Sequence, residues 1–525
     1  MRRRNLATTA ALVVVLGWFV HFWPGFHTAN ESIRIYFMQA LVDYGTATVD
    51  PVLKRYKTRN VDAAEFDGHA YLDKAPGLSL ALVPAYWFGT RVLNLPTGYR
   101  DLPPLGYLLL FLGVILPCTA AILLVRDLAR DLPGTGSWEV ALAFGLGTPF
   151  FIYATLLFGH APATACAVLS LWAVFKQRPA LAGAAAGMMV LTDTPTALLA
   201  LVLLGVLAWR ARQQSTVRVT ATWLEPALRF VLGALPFAAV QLGYNTWLFG
   251  GPLDFAYGHK ANADLAAIHG QGLFGFRVPT TDALYGLFLS ARRGLFFHAP
   301  VLLLGVVGLV TAWRSADPAR RLWAQSLTLP ALVYGLAIGG FVDWPAGDSY
   351  GPRHLIPIIP FLALGLIGLP SHAAWRWALA ATGGIGLAMA LIPIASFPYA
   401  PDSYAFPVAQ LAVPMLRDGI TAPNVLGLTS VTGSLAGIGL ALLVLGLLAF
   451  GPGLRALGVL GGVALVVGVT LSVGPRSKAD VERAILSCIV GRPELGTDVC
   501  VEGYGWDPRR CACRRLARPS PSPPP

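Results

Sequence analysis

The chain has 525 residues, 55% of them hydrophobic and 13% charged, with 39 Lys and Arg against 27 Asp and Glu for a net charge of +12. About a quarter of the residues in a soluble domain are charged, so this composition excludes an ordinary soluble enzyme and indicates a membrane protein. The positive balance does not indicate nucleic acid, because the bases gather at the ends of apolar runs and are not interleaved with aromatics.

In chain order, Met1-Arg2-Arg3-Arg4 precedes an apolar run over 7–23. No small-residue cleavage site follows it, so it reads as an uncleaved first helix with its basic end inside. Further runs able to cross about 30 Å of hydrocarbon lie at 104–125, 137–157, 161–176, 180–192, 195–209, 230–249, 298–313, 323–341, 354–370, 376–396, 431–450 and 455–474. The expected fold is therefore all-α and polytopic, with 13 transmembrane helices, the N-terminus inside and the C-terminus outside. The fifth and sixth runs are short and meet at Thr192-Asp193-Thr194-Pro195, a break tolerated only against protein or water.

The orientation follows from basic residues on alternate connections. Arg126 and Arg130, Lys176 and Arg178, Arg210 and Arg212, Arg314 with Arg320 and Arg321, Arg376 and Arg455 fall on inside segments. The short outside turns Gly159-His160-Ala161 and Asp193-Thr194-Pro195 carry none. The long connections, at 24–103, 250–297, 342–353 and 397–430, are then all outside. Residues 1–474 form the membrane domain and 475–525 an outside tail with a disordered Pro/Ser end.

Cys118 and Cys166 lie in apolar runs and read as packing residues. Cys488, Cys500, Cys511 and Cys513 all lie in the tail, without the paired Cys-x-x-Cys spacing of a zinc site. They are candidates for disulfides in an oxidising compartment.

The first outside loop opens Asn30-Glu31-Ser32-Ile33-Arg34-Ile35-Tyr36-Phe37-Met38-Gln39. Its apolar spacing predicts a helix lying on the membrane surface, capped by Asn30. Glu31 in its first turn either accepts a proton from an incoming hydroxyl or merely favours the helix start and pairs with Arg34. Later in the loop, Asp73-Lys74-Ala75-Pro76-Gly77 leads into a helix predicted at about 76–94. Lys74 there suits a lipid phosphate or serves as an interfacial anchor.

A third cluster spans Asp343 to His354. Arg353 offers a planar fork for phosphate, with Asp348 as its counter-charge in the empty state. Trp344 and Tyr350 either stack on a sugar or belong to the aromatic belt. Arg292 and Arg293 lie outside, against the positive-inside trend, which marks an anion site. There is no P-loop, Gly-x-Ser-x-Gly elbow, His-Glu-x-x-His motif or dinucleotide fingerprint. Nor is there a soluble nucleotide-sugar domain, so any sugar donor is expected to be lipid-linked and on the outer leaflet.

At these residues the chain resembles the GT-C-type integral-membrane glycosyltransferases, the group that holds protein O-mannosyltransferases and bacterial lipid A aminoarabinose transferases. Glu31, Arg34 and Tyr36 are similar to the acidic residue and Arg/Tyr segment that follow the first span in that family. Lys74-Ala75-Pro76-Gly77-Leu78 is similar to its Lys- or His-Pro-Pro-Leu motif but departs at Ala75 and Gly77. The resemblance covers about 1–475. It implies an inverting transfer from a polyprenyl-phosphate sugar to an envelope glycan, lipid or protein, in a bacterial inner membrane with the site facing the periplasm or cell exterior.

By that resemblance Glu31 is the general base or orients the acceptor, and Lys74, Arg293 and Arg353 hold the donor phosphate. Arg34, Tyr36, Asp73, His160, Trp344, Asp348, Tyr350 and His354 then contact substrate. Asn30 stands where many members have an acid, and His160 where some have a second acid, so no metal ligand set is read and dependence on a divalent metal stays open. The expected partners are the lipid-linked donor, the acceptor and membrane lipids, and no nucleic acid. A transporter or flippase of a lipid-linked or anionic precursor is the alternative function. Clustering of charge at one face and the lack of repeated halves favour the enzyme.

Overall fold

A computed structural model of the chain describes residues 2–22, 28–58, 60, 62–99, 101–131, 135–214, 224–261, 275–401, 404–417, 419–450, 504–507 and 512–515. These are overwhelmingly helical. Six helices are long and apolar enough to cross a membrane: Pro103–Arg130, Thr194–Gln213, Leu224–Phe249, Pro318–Gly339, Ala373–Ala395 and Val431–Phe450. Shorter apolar helices cover Arg4–Leu16, His160–Phe175, Pro179–Thr192, Val301–Trp313 and Arg353–Gly368. The predicted run at 455–474 and the tail residues Cys488, Cys500 and Cys511 lie outside the described residues, and Cys513 is described only as part of a strand, Ala512–Arg515.

The Ala-rich helix Pro179–Thr192 lets its neighbours approach closely. It packs against His160–Phe175 on one side and Leu224–Phe249 on the other, as small residues permit in a medium where burial of apolar surface supplies little drive. Cys118 is buried and Cys166 partly so; both are free thiols.

Two expected spans are not continuous helices. The run at 137–157 is helical over Ser137–Gly145, turns through Gly147-Thr148-Pro149, and resumes only for Phe150–Tyr153. Pro149 lacks an N–H and the glycines around it favour a turn, so the ladder fails there. The run at 354–370 alternates tight 3₁₀ turns, Arg353–Ile358 and Gly365–Gly368, with a short helix, Ile359–Leu364. Pro357 and Pro360 remove the donors a continuous helix needs.

The first loop folds into a small layer over one end of the bundle. It contains the helix Ala29–Gln39, a hairpin of strands Ala63–Phe66 and His69–Leu72, and the helix Gly77–Arg91. The hairpin turns at Asp67-Gly68, both left-handed with φ of 50° and 77°, the two-residue geometry that matches strand twist. The helix starts at Ala29 with Thr28 in the cap position, so Asn30 lies inside it and is not the cap. Every residue from Asn30 to Gln39 is buried against the rest of the chain. Ile33, Tyr36, Phe37 and Ala40 pack with the hairpin and with Tyr244, Leu248 and Phe249 in a satellite core of their own.

Candidate functional site

Glu31 lies 2% exposed at the first turn of the helix Ala29–Gln39. Its Oε1 accepts from the Leu157 N–H at 2.7 Å, and Oε2 accepts from the Tyr399 hydroxyl at 2.6 Å and the Thr28 hydroxyl at 2.9 Å. The Leu157 N–H is free to do this because the short helix Phe150–Tyr153 has ended before it. Burial raises the Glu31 pKa, against the opposing pull of Tyr399, Leu157, Thr28 and the Arg34 charge. Burial, followed by the Glu31 charge, also pushes the Tyr399 phenol up. A buried carboxylate with a raised pKa, held from three segments of chain, has the properties of a positioned base.

Beside it stands a group of cations. Lys74 Nζ lies 3.1 Å from Asp73 Oδ2 and 3.2 Å from Asp62 Oδ2. Lys260 Nζ lies 2.7 Å from the same Asp73 oxygen. Lys260 reaches it by backbone pairing, with a bridge between Ala64 and Lys260 and an Ala261 N–H donating to Ala63 O at 3.1 Å. Asp62 is placed by Asn60, whose amide donates to Ser32 Oγ at 2.8 Å and whose Oδ1 accepts from the Asp62 N–H at 2.8 Å.

Burial alone would raise the Asp62 carboxyl, yet Lys74, Lys260 and Arg353 outweigh it and hold its pKa below the usual value. Conversely, burial is the largest influence on Lys74, but Asp62 and Asp73 overcome it and raise its pKa. Lys260 is lowered, first by burial and then by the Lys74 charge. Arg353 Nε is buried without a hydrogen-bond partner. Arg34 is 4% exposed and within electrostatic reach of Asp73, Asp193 and Asp62 as well as Glu31. One guanidinium thus links the carboxylate to the cation group.

The third wall is the start of the helix His160–Phe175. His160 Nδ1 pairs with Asp193 Oδ2 at 2.8 Å, which leaves Nε2 as the ring's other face for a proton or hydrogen bond. The His354 ring stands edge-on to it, with centroids 5.4 Å apart. Residue 159 must be small here. A Cβ on Gly159 would lie 2.7 Å from Thr192 O and 3.2 Å from the Arg34 guanidinium, so the turn at 192–193 and Arg34 close on this backbone.

The residues expected at 343–354 divide. Arg353 and His354 face the cluster just described. Arg293 does not: it is fully buried and its guanidinium donates to the carbonyls of Pro345 at 2.7 Å, Gly347 at 2.6 Å and Ser349. Its bonds to backbone replace the expected phosphate contact, because an inward-turning loop leaves carbonyls that only a planar, multi-donor group can satisfy together.

Tyr350 is fully buried, and its carbonyl accepts from the Tyr153 hydroxyl at 3.0 Å. The Trp344 ring packs over Gly286. Asp348 is exposed, and Arg353 acts on the Asp62 carboxylate. Tyr36 packs on Tyr56, with ring centroids 5.4 Å apart, inside the satellite core.

No family model matches the chain, and no curated protein does. Solved structures do. ArnT from Cupriavidus metallidurans in the apo state is 15% identical, with 90% of this chain and 76% of that one covered and a TM-score of 0.43. The same protein bound to undecaprenyl phosphate is 18% identical, with 92% and 80% covered and a TM-score of 0.46. The oligosaccharyltransferase of Archaeoglobus fulgidus, in its apo form, is 12% identical, with 93% and 58% covered and a TM-score of 0.39. These are GT-C glycosyltransferases, the family that the sequence resembles. At these identities and scores the likeness says nothing of this chain's substrate.

Four residues of the cluster were missed by sequence reasoning: Asp62, Asp193 as a partner for His160, Lys260 and Tyr399. Lys260 carried a signal, since it is a base on an outside loop, the same feature that singled out Arg293. Tyr399 carried none, because nothing in its neighbours marks a phenol that reaches a carboxylate 368 residues away. Among the described residues, no group of three or more His, Cys, Asp or Glu side chains is placed to hold a metal ion.

Proposed function

We propose that this chain is a GT-C-type membrane glycosyltransferase that moves a sugar from a polyprenyl-phosphate donor to a hydroxyl acceptor at the outer face of the bilayer. The observation that carries this reading is the pairing of Glu31, buried with a raised pKa, with the adjoining cations Lys74, Lys260, Arg353 and Arg34. A base and a phosphate-holding group side by side are what direct displacement at a sugar phosphate requires.

In this mechanism Glu31 accepts the proton of the acceptor hydroxyl as its oxygen bonds to the anomeric carbon. The bond from that carbon to the phosphate oxygen breaks on the opposite face, so the configuration inverts. The leaving polyprenyl monophosphate carries the electron pair away, and fixed cations in a low-dielectric site stabilise it. His160, oriented by Asp193, and His354 lie where a sugar hydroxyl would be recognised. The N-terminal helix enters from inside, and the layer built from the first loop faces outside.

The direct test is sugar release by purified protein from a panel of polyprenyl-phosphate sugars. Release of sugar with at least one donor is expected. Binding or movement of lipid-linked substrate without release would replace this reading with a transporter.

A second outcome concerns the hydrogen bond that Tyr399 donates to Glu31. That bond favours the carboxylate, so Tyr399→Phe raises the Glu31 pKa further. A base must be deprotonated, so the acid limb of kcat/KM moves to higher pH in the variant. An unmoved limb would separate Glu31 from the titration that governs turnover.

A further inference from the structure

We infer that Asp62 is an exchangeable counter-ion: it pairs with Lys74 while the cradle is empty, yields to the phosphate of a lipid ligand, and promotes that ligand's release. The inference rests on the reading of this cluster as a phosphate site and adds to it a device for emptying it.

The two carboxylates on Lys74 are not equivalent. Asp73 is fully buried, adjoins Lys74 in sequence, and binds Lys260 through the same oxygen at 2.7 Å. It cannot leave without stranding two cations. Asp62 has a side chain 17% exposed, sits 3.2 Å from Lys74, and follows the turn made by Asn60. Asp62 also feels Arg353, whose buried Nε has no hydrogen-bond partner. Asp62 thus lies within reach of both Lys74 and Arg353, the two cations that a bound phosphate would bridge.

Charge balance makes this pairing exchangeable. An ammonium has three donors, and Asp62 and Asp73 take two of them. A phosphate arriving between Lys74 and Arg353 meets a like charge on Asp62 and must displace it or share the site at a cost. When the product phosphate departs, Arg353 would be left without a counter-charge and Lys74 with Asp73 alone, which it shares with Lys260, an expensive state in a partly desolvated cleft. Re-pairing with Asp62 lowers that expense. The same residue thus weakens binding of the ground state and speeds its dissociation. Asp62 is a positioning residue in this scheme, because it acts on the ligand through Lys74.

The experiment compares binding of undecaprenyl phosphate and of undecaprenol to the full chain in detergent micelles, for wild type, Asp62→Asn and Asp62→Glu. Asp62→Asn is expected to bind the phosphate about tenfold tighter, with the alcohol unchanged and Asp62→Glu close to wild type. Steady-state transfer by Asp62→Asn is expected to show KM and kcat falling together, as slow product release predicts, which a merely structural role would not produce. Asp62→Ser removes the same charge and serves if the Asn variant fails to fold.

Unchanged or weaker phosphate binding by the neutral variants, or equal tightening toward the alcohol, overturns the counter-ion role. Wild type that prefers the phosphate in that same experiment keeps the cradle reading intact. Wild type with no preference for the phosphate over the alcohol removes the cradle itself, and the inference with it.

Discussion

Glu31→Gln abolishes sugar transfer while leaving the lipid-phosphate affinity close to that of wild type. The amide keeps the shape of the carboxyl group and can still accept from Leu157 or Tyr399, so the helix Ala29–Gln39 retains its anchors. It cannot accept a proton. Loss of a positioned base lowers rate by about 10²–10⁴-fold, which single-turnover transfer from a polyprenyl-phosphate sugar measures directly. Lys74, Lys260 and Arg353 lie on other elements, the hairpin flank, the 256–261 segment and the turn at Arg353, and Arg34 keeps its charge on the shared helix, so phosphate binding depends little on this change. Full transfer activity in Glu31→Gln would remove Glu31 from the chemistry and return it to the role of a helix-start residue.

The second large effect is on stability. Arg293→Met removes the guanidinium donor from the buried carbonyl of Ser349 and the partly buried carbonyls of Pro345 and Gly347, of which Gly347 keeps only the Ser349 hydroxyl. Each unsatisfied buried polar group costs about 1–3 kcal/mol, so the sum is on the order of 3–5 kcal/mol after partial relaxation. The chain in detergent is expected to melt many degrees lower, and the 343–354 loop to become the first site of proteolysis. Arg293→Lys recovers little, because an ammonium on a flexible stem cannot reach three carbonyls in the plane that the guanidinium spans. A thermal melt of both variants decides the matter. A normal melting temperature with weakened phosphate affinity would instead restore Arg293 to the donor site.

These two residues also mark how far the sequence reached. Hydropathy located helices throughout the described part of the chain, because the length of an apolar run is a local property that the bilayer dictates. The break at Thr192-Asp193-Thr194-Pro195 and the helix start beside Lys74 were legible for the same reason. The Asp67-Gly68 hairpin was also written locally but was passed over among membrane spans. Where prolines interrupted an apolar run, at Pro149 and at Pro357 and Pro360, hydropathy alone overstated the helix.

Residue type and loop position sufficed to single out Glu31, Lys74, Arg353 and His160, since charge and imidazole are rare in such a chain and need a reason. Their partners were a different matter. Whether a buried cation meets a phosphate or a carbonyl depends on which loop folds against it, and Arg293 and Arg353 look alike in sequence. Only the tertiary structure joined Tyr399 to Glu31, Asp193 to His160 and Lys260 to Asp73, across 368, 33 and 187 residues. Those pairings arise from long-range packing of elements whose local sequences carry no record of one another. Composition therefore determined the solvent this protein folds in, while close approach of distant backbone, as at Gly159 against Thr192 and Arg34, decided which charges act together.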